Sequence, residues 1–317
     1  MTVTSRLTLK HLRCLAAVAE HRSLTAAAAA RNLTTPAIHS QIKGLEDQVG
    51  RPVLARAVDG TGFDLTEAGR ILLRAADRIE ANLSQADQAL DALAKGFQGH
   101  VTLGVVSTAK YFAPRLVRCL RDVVPDVAVT LRVGNRGAVI DDLDTGRIDL
   151  AVMGRPPRRP HAEAMPLGPH PHGVIVPPDH ALAGQDGFDP VRLFAEIFLT
   201  REPGSGTRIL MRRFLDRFAE GVEPELIEME SNETIKQAVI AGLGIAFLSL
   251  HTVCEEMRAG RLVRLRGPHL PVMRHWYLVH PVGHDSSDPA RRIAETIIGM
   301  DGTYFPTLPP APGSAPR

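Results

Sequence analysis

The sequence predicts an α + α/β protein: a winged helix-turn-helix domain, one long linker helix and a larger two-lobed α/β domain. Three observations carry this. Ser23 to Glu46, SLTAAAAARNLTTPAIHSQIKGLE, reads as helix, short turn, helix. From Ala68 to Leu93, apolar residues recur at intervals of four and three and keep a heptad seam. Beyond KGFQGH at Lys95 to His100, which reads as a hinge, strand and helix patterns alternate, the texture of a mostly parallel sheet.

In chain order, Leu9, Leu12, Cys14, Leu15, Ala16, Val18 and Ala19 give an apolar face to a first helix from about Thr8 to Glu20. Ser23 is a good N-cap, and the alanine run behind it combines high helix propensity with almost no bulk, so another helix can pack close. Asn32 and Leu33 interrupt the run. Thr34 or Thr35 can cap again, and Pro36 falls in a first turn, where its missing N–H costs nothing. On the second helix Ile38, Ile42 and Leu45 form one apolar stripe, leaving Thr35, His39, Ser40, Gln41 and Lys43 outward. These are short or planar donors, suited to phosphates and base edges in a major groove. An ordinary helical hairpin with a polar face fits the same spacing.

Val49 to Arg56 and Phe63 to Leu65 are extended candidates around Asp59-Gly60-Thr61-Gly62. Such a wing would set Arg51 and Arg56 beside the second helix, within reach of phosphates. Thr66 caps a long helix whose seam is Ala68, Leu72, Ala75, Ile79, Leu83, Ala86, Leu90 and Leu93. At ~1.5 Å per residue, Thr66 to Ala94 spans roughly 43 Å, longer than three short helices and a wing can cover. Dimerisation is preferred to a single amphipathic helix lying on a neighbouring domain.

In the α/β part, strands are expected at Val101–Val106, Val127–Val133, Leu150–Met153, Val174–Val176, Ile197–Thr200, Ile227–Glu230, Ile245–Leu248, Leu262–Leu265 and Trp276–His280. Helices are expected at Pro114–Val123, Val139–Asp144, Gly206–Phe218, Glu233–Ala241 and Pro289–Ile298. The tail from Asp301 is proline-rich and reads as disordered. His161, His170, His172 and His180 lack a ligand spacing and read as surface loop, not metal site. Asp141, Asp142 and Asp144 read as a solvated helix face, Gly242 and Gly244 as a helix end leading into a strand, and Trp276 and Tyr277 as lobe packing.

The 317 residues, 44% hydrophobic and 23% charged, fit a soluble globular chain of two or three domains, with no apolar run long enough for a bilayer and no secretory signal. Cys14, Cys119 and Cys254 are far apart, as in a reducing cytosol. The net charge is only +2, but residues 1–60 carry eight Lys or Arg against four acids. A basic small domain on a mildly acidic large one points to a polyanion partner. No nucleophile-base or paired-carboxylate constellation argues for an enzyme.

The helix-turn-helix, the run TPAIHSQIKGLEDQVGRPVLAR ending in leucine-x-arginine, LTEAG at Leu65 to Gly69 and the α/β domain together resemble the LysR-type transcriptional regulators over roughly residues 7–300. The chain departs from that family at Ser40, where arginine is frequent. VSTAKYFAPRLV, REPGSGTR and Asn232 to Lys236 are similar to the CbbR subgroup, which regulates Rubisco and Calvin-cycle operons. The resemblance implies a DNA-binding domain at 1–65, a linker helix at 66–94, a hinge at 95–100 and a periplasmic-binding-protein-like effector domain at 101–300. Lobe I would hold about 101–160 and 266–300, lobe II about 165–265, with a disordered tail at 301–317. It also implies promoter DNA and RNA polymerase as partners, a dimer assembling into a tetramer, an activator in the cytoplasm and no membrane.

Within such a cleft, Ser107, Thr108 and Lys110 follow the first strand, while Glu202, Ser205 and Thr207 open a helix in the second lobe. Both places offer free N–H groups and a helix dipole to an anion. Plain N-caps explain Ser107 or Thr207 equally well. Arg136, Asn232 and Thr234 are weaker additions that could instead satisfy loop backbone. The subgroup resemblance implies ribulose bisphosphate, phosphoenolpyruvate or NADPH as a reversible effector, with no bound cofactor. A LysR-type regulator of another operon, or an α/β solute-binding or enzymatic protein with an accessory helical domain, are the alternatives.

Overall fold

The structure, a computed structural model, describes residues 7–218, 223–281 and 287–310. The chain divides into two compact units, Met1–Asp87 with Thr145–Arg147, and Gln88–Asp144 with Ile148–Arg317.

In the first unit, α1 (Leu9–His21), α2 (Leu24–Ala30) and α3 (Thr35–Val49) precede a wing of β1 (Leu54–Arg56) and β2 (Phe63–Leu65), and α4 (Glu67–Ala94) begins after it. Thr8 caps α1 in a capping box with His11. Ala27 and Ala28 are buried with Leu15, Val18, Ile38, Ile42 and Leu45, so the alanine run does give close helix approach. The first wing strand is shorter than expected: α3 runs on to Val49 and ends on Gly50 in the left-handed region (φ 73°). Glu46 then ties the wing to α3, its Oε1 accepting from Val53 N–H at 2.8 Å.

The LTEAG run has a steric reason. Thr66 donates its hydroxyl to Pro52 O at 2.8 Å and accepts from Gly69 N–H at 3.1 Å. A Cβ on Gly69 would lie 2.1 Å from Val53 O, so only glycine lets the wing seat on this turn. Gly69→Ala is therefore expected to cost about 1–3 kcal/mol by overpacking, read as a lowered urea midpoint of a fragment ending after α4 and of the full chain alike. Further along α4, Ile79, Leu83, Leu90 and Leu93 of the predicted seam stay exposed.

The second unit is built on one twisted sheet with neighbours in the order β4-β3-β5-β11-β6-β9-β7-β8, β10 pairing separately with β6. Its elements are β3 (Gly99–Val106), a short 3-10 turn at Ala109–Tyr111, α5 (Ala113–Val123), β4 (Val127–Gly134), α6 (Arg136–Thr145), β5 (Leu150–Met153), β6 (Ala162–Val176) and α7 (Pro190–Phe194). There follow β7 (Phe198–Arg201), α8 (Gly206–Leu215), β8 (Leu226–Met229), α9 (Asn232–Ile240), β9 (Ile245–Ser249), a 3-10 turn at Leu250–Thr252, α10 (Cys254–Arg258), β10 (Val263–Arg264), β11 (Val272–Pro281) and α11 (Asp288–Gly299). Strands β3, β4 and β5 are parallel, as are β7, β8 and β9. The antiparallel pair β6 and β11 crosses between them and divides the unit into two lobes. One core holds Leu103, Phe112, Leu116, Trp276 and Ile293; the other lobe buries Phe198, Phe214 and Phe247 on one face of its sheet and Leu199, Ile235 and Leu248 on the other.

Four expectations are corrected. The strand seen as Val174–Val176 is fifteen residues long. Its first part, with Pro166, Pro169 and Pro171, pairs with β11 alone, and β9 joins only from His172 onward, so the missing N–H groups leave no ladder broken. His170 and His172 are consequently strand residues only 3% and 4% exposed, not surface loop. Asp142 is buried against Arg132 Nε at 2.9 Å rather than solvated. The tail is ordered as far as Pro310: Tyr304 is fully buried, Phe305 stacks edge-on against Phe112, and Thr307 O accepts from Arg258. Residues 311–317 of that tail lie outside the described residues.

Candidate DNA-reading surface and effector cleft

In the first unit, Ser23 and Thr34 commit their hydroxyls as N-caps to Ala26 and Ala37 N–H, both at 3.3 Å. Pro36 sits exposed in the first turn of α3. His39, Ser40 and Lys43 are exposed along that helix, with Thr35 and Gln41 half-buried at its edges. Arg51 and Arg56 are exposed and form no ion pair among the described residues. This is a polar helix face flanked by free cations, the pattern of a backbone-positioning and base-reading surface.

The second unit holds a cleft of about 100 Å³ between its lobes. Ser107 and Thr108 reach it from the end of β3, Arg136 from the start of α6, Arg155 from beyond β5, and His170 and His172 from β6. From the other lobe come Arg201 and Glu202 at the end of β7, and Ser205 and Thr207 at the start of α8. These are carboxyl ends of parallel strands and a helix N-terminus, where open α/β sheets present their ligand-binding groups.

Two of the hydroxyls make no capping bond. Ser205 occupies the N-cap position of α8 and Thr108 that of the 3-10 turn, yet neither side chain makes a capping bond. Both are nearly buried, as is Thr207. Thr207 lies inside α8 and Ser107 before the cap position of the 3-10 turn, so the N-cap alternative for these two is not realised in this geometry.

Charge converges here as well. Arg201, 5% exposed, donates to Glu202 from both Nε (2.6 Å) and Nη2 (2.9 Å), and Nη1 donates to Asn232 Oδ1 at 2.9 Å and, across the lobes, to Ser107 Oγ at 3.3 Å. Arg136 donates to the carbonyls of Arg155 and Pro156, and burial lowers the pKa of its guanidinium. Arg155, Arg213 and Arg274 also line the cleft, with no ion pair among the described residues. Five arginines thus face one acid, already paired, in a cleft that also offers free hydroxyls. Such an arrangement has the chemistry to hold an anion.

Three expected residues fall elsewhere. Lys110 lies over the Tyr111 ring, 5.1 Å from its centroid, and does not line the cleft. Thr234 is exposed in the first turn of α9, where its hydroxyl meets the Ser231 cap at 2.9 Å. Asn232 is buried behind the cleft and orients Arg201. Conversely, Arg201, Arg274, His170 and His172 were missed. Arg201 was within reach of sequence reasoning, as the last residue of a parallel strand; the histidines were hidden among prolines. Burial pushes the His172 imidazole down to about 3 and keeps His170 well below its ordinary value.

Both units match family models: residues 9–70 match the bacterial regulatory helix-turn-helix protein of the lysR family, and residues 94–300 the LysR substrate binding domain. The chain belongs to the LysR family of transcriptional regulators. This LysR-family chain is 53% identical over 303 residues to the HTH-type transcriptional regulator CbbR of Cereibacter sphaeroides, covering 96% of this chain and 98% of that one. It is 38% identical over 290 residues to the RuBisCO operon transcriptional regulator of Allochromatium vinosum, covering 92% and 95%. The second unit is similar to the regulatory domain of Synechocystis CcmR solved in complex with 2-PG, with TM-score 0.61 and 32% identity, covering 65% of this chain and 99% of that one. No helix among the described residues is long and apolar enough to cross a membrane.

Proposed function

We propose that this LysR-family regulator controls carbon-fixation genes of the Rubisco and Calvin-cycle type, activating them when a small phosphorylated metabolite enters the cleft. The observation that carries the ligand class is the excess of arginine over acid beside the free hydroxyls of Thr108, Ser205 and Thr207. The RuBisCO operon relative supports the target genes, and the CcmR domain's complex with 2-PG, a phosphorylated carboxylate, supports the ligand class. Ribulose bisphosphate, phosphoenolpyruvate and NADPH are candidates on the same chemistry. The protein acts in the cytoplasm as a dimer through the exposed seam of α4, with two dimers forming a tetramer on promoter DNA and recruiting RNA polymerase. Effector binding shifts the lobes and, through them, the bend imposed on the DNA.

The test is binding of the full chain to the DNA upstream of its own gene, titrated with those three metabolites and 2-PG. A salt-sensitive specific complex altered by one of them is expected. Specific binding that none of the four changes would move the regulator to another operon, and loss of specific binding would refute the promoter role.

A division of labour follows for the reader. His39→Ala or Gln41→Ala is expected to relax base preference, by about 1–3 kcal/mol of discrimination, whereas Arg51→Ala or Arg56→Ala weakens all sequences and lowers the salt slope by about one. Equal losses on specific and random DNA in all four variants would reject that division.

A further inference from the structure

The two lobes are bonded to each other beside the cleft as well as within it. Inside the cleft the bond runs from Arg201 Nη1 to Ser107 Oγ and is long, at 3.3 Å. A little further along the chain, at the end of the 3-10 turn that follows β3, Tyr111 donates its hydroxyl to Glu233 Oε2 at 2.7 Å. Glu233 stands in the first turn of α9, in the other lobe. A short bond to a carboxylate is charge-assisted and stronger than a neutral one.

The acceptor is held in place. Lys236, buried one turn along α9, donates to Glu233 Oε1 at 2.7 Å and to Glu256 Oε1 of α10 at 2.8 Å. Its Nζ also stands 4.7 Å from the centroid of the Tyr111 ring, so the same ammonium that fixes the carboxylate attracts the ring from the facing lobe. Both ends of the contact lead back into the cleft. The turn that ends at Tyr111 begins beside Ser107 and Thr108, which line the cleft, and Glu233 follows Asn232, whose Oδ1 accepts from Arg201. Neither Tyr111 nor Glu233 lines the cleft itself.

Resting on the reading of that cleft as the effector site, we propose that Tyr111 is a positioning residue for effector binding. Its bond to Glu233 and its contact with Lys236 hold the turn carrying Ser107 and Thr108 against the start of α9, and so keep the two halves of the cleft assembled. A ligand that touches both lobes binds this assembled arrangement. Its apparent affinity therefore falls by the factor by which the arrangement's population falls.

Tyr111→Phe keeps the ring over Lys236 and removes only the hydroxyl, while Glu233→Ala removes the acceptor and leaves Lys236 paired with Glu256. Two measurements on the full chain test the proposal. Without ligand, hydrogen–deuterium exchange over residues 107–112 is expected to quicken about fivefold in each variant, the worth of one hydrogen bond. In titrations with 2-PG, ribulose bisphosphate, phosphoenolpyruvate and NADPH, whichever the wild type binds should bind about fivefold more weakly in each variant. The double variant should bind no more weakly than Glu233→Ala alone, because both changes delete one shared bond. Exchange that Tyr111→Phe leaves unchanged, an effector affinity that it leaves unchanged, or fully additive losses in the double variant would overturn the proposal. A wild type that binds none of the four refutes the effector reading instead, and exchange still decides: quickening in both variants supports the inter-lobe bond, and none overturns it.

Discussion

Between pH 7 and pH 5 the effector-binding unit is expected to lose roughly 4 kcal/mol of stability through His172 and His251, about 2 kcal/mol for each, with His170 acting in the same direction. His170, His172 and His251 are 3%, 4% and 4% exposed. Burial holds His172 down to about 3 and His251 down to about 4, so both stay neutral in the folded chain at pH 5, and it keeps His170 well below its ordinary value. In the unfolded chain they titrate near 6.5. At pH 5 the unfolded state therefore holds close to one more proton on each ring, and stability falls as pH drops. Their contribution is complete above about 6.5 and is lost as pH falls through 4 and 3. Asp149, raised by its own burial, works in the opposite direction on acidification. The measurement is urea unfolding at pH 7, 6 and 5, where the midpoint should fall steeply and His172→Phe should lower the proton uptake at pH 5 by one. A midpoint that does not move between pH 7 and 5 would show that these rings charge freely in the native state.

Arg201→Met should both destabilise the same unit by about 3–5 kcal/mol and abolish the effector response, because it removes one member of a largely buried charge network. The guanidinium is the common partner of Glu202, Asn232 and, from the facing lobe, Ser107. Without it, Glu202 loses its direct ion-pair partner, and Asn232, whose Nδ2 already lacks a partner, loses its remaining side-chain bond. Arg201→Met with Glu202→Gln should recover much of the stability, since the stranded charge is gone, but not the response, since the inter-lobe bond to Ser107 is still missing. Denaturation curves and effector titrations on the two variants separate these effects. Full recovery of the response in the double variant would remove Arg201 from the binding machinery.

The elements of the DNA-reading unit were legible because their determinants are local. Ser23, Thr34 and Pro36 fix helix starts within a turn of themselves, and Ile38, Ile42 and Leu45 fix the buried face by spacing. The cleft was half legible. Ser107, Thr108, Ser205 and Thr207 follow strands or open a helix that the pattern located, whereas Lys110, two residues past Thr108, and Thr234, in the first turn of α9, turn away toward Tyr111 and Ser231. That choice is made by side-chain direction, which spacing does not encode. The cleft floor was not legible at all. A strand carrying Pro166, Pro169 and Pro171 reads as loop unless one knows that it has a neighbour on a single side, which is a fact of the assembled sheet. The same holds for the tail, where Tyr304 and Phe305 find their aromatic partners nearly two hundred residues upstream at Phe112.

Trp276 is the one tryptophan of the chain. Its indole stacks on His170, 3.6 Å between centroids, and His170 lines the cleft; its N–H donates to His251 Nδ1 at 3.1 Å. The chain thus carries a single indole fluorophore touching one wall of the cleft. Any shift in its indole emission originates at that one point, so occupancy of the cleft can be followed optically in the unmodified protein, without a label and without DNA.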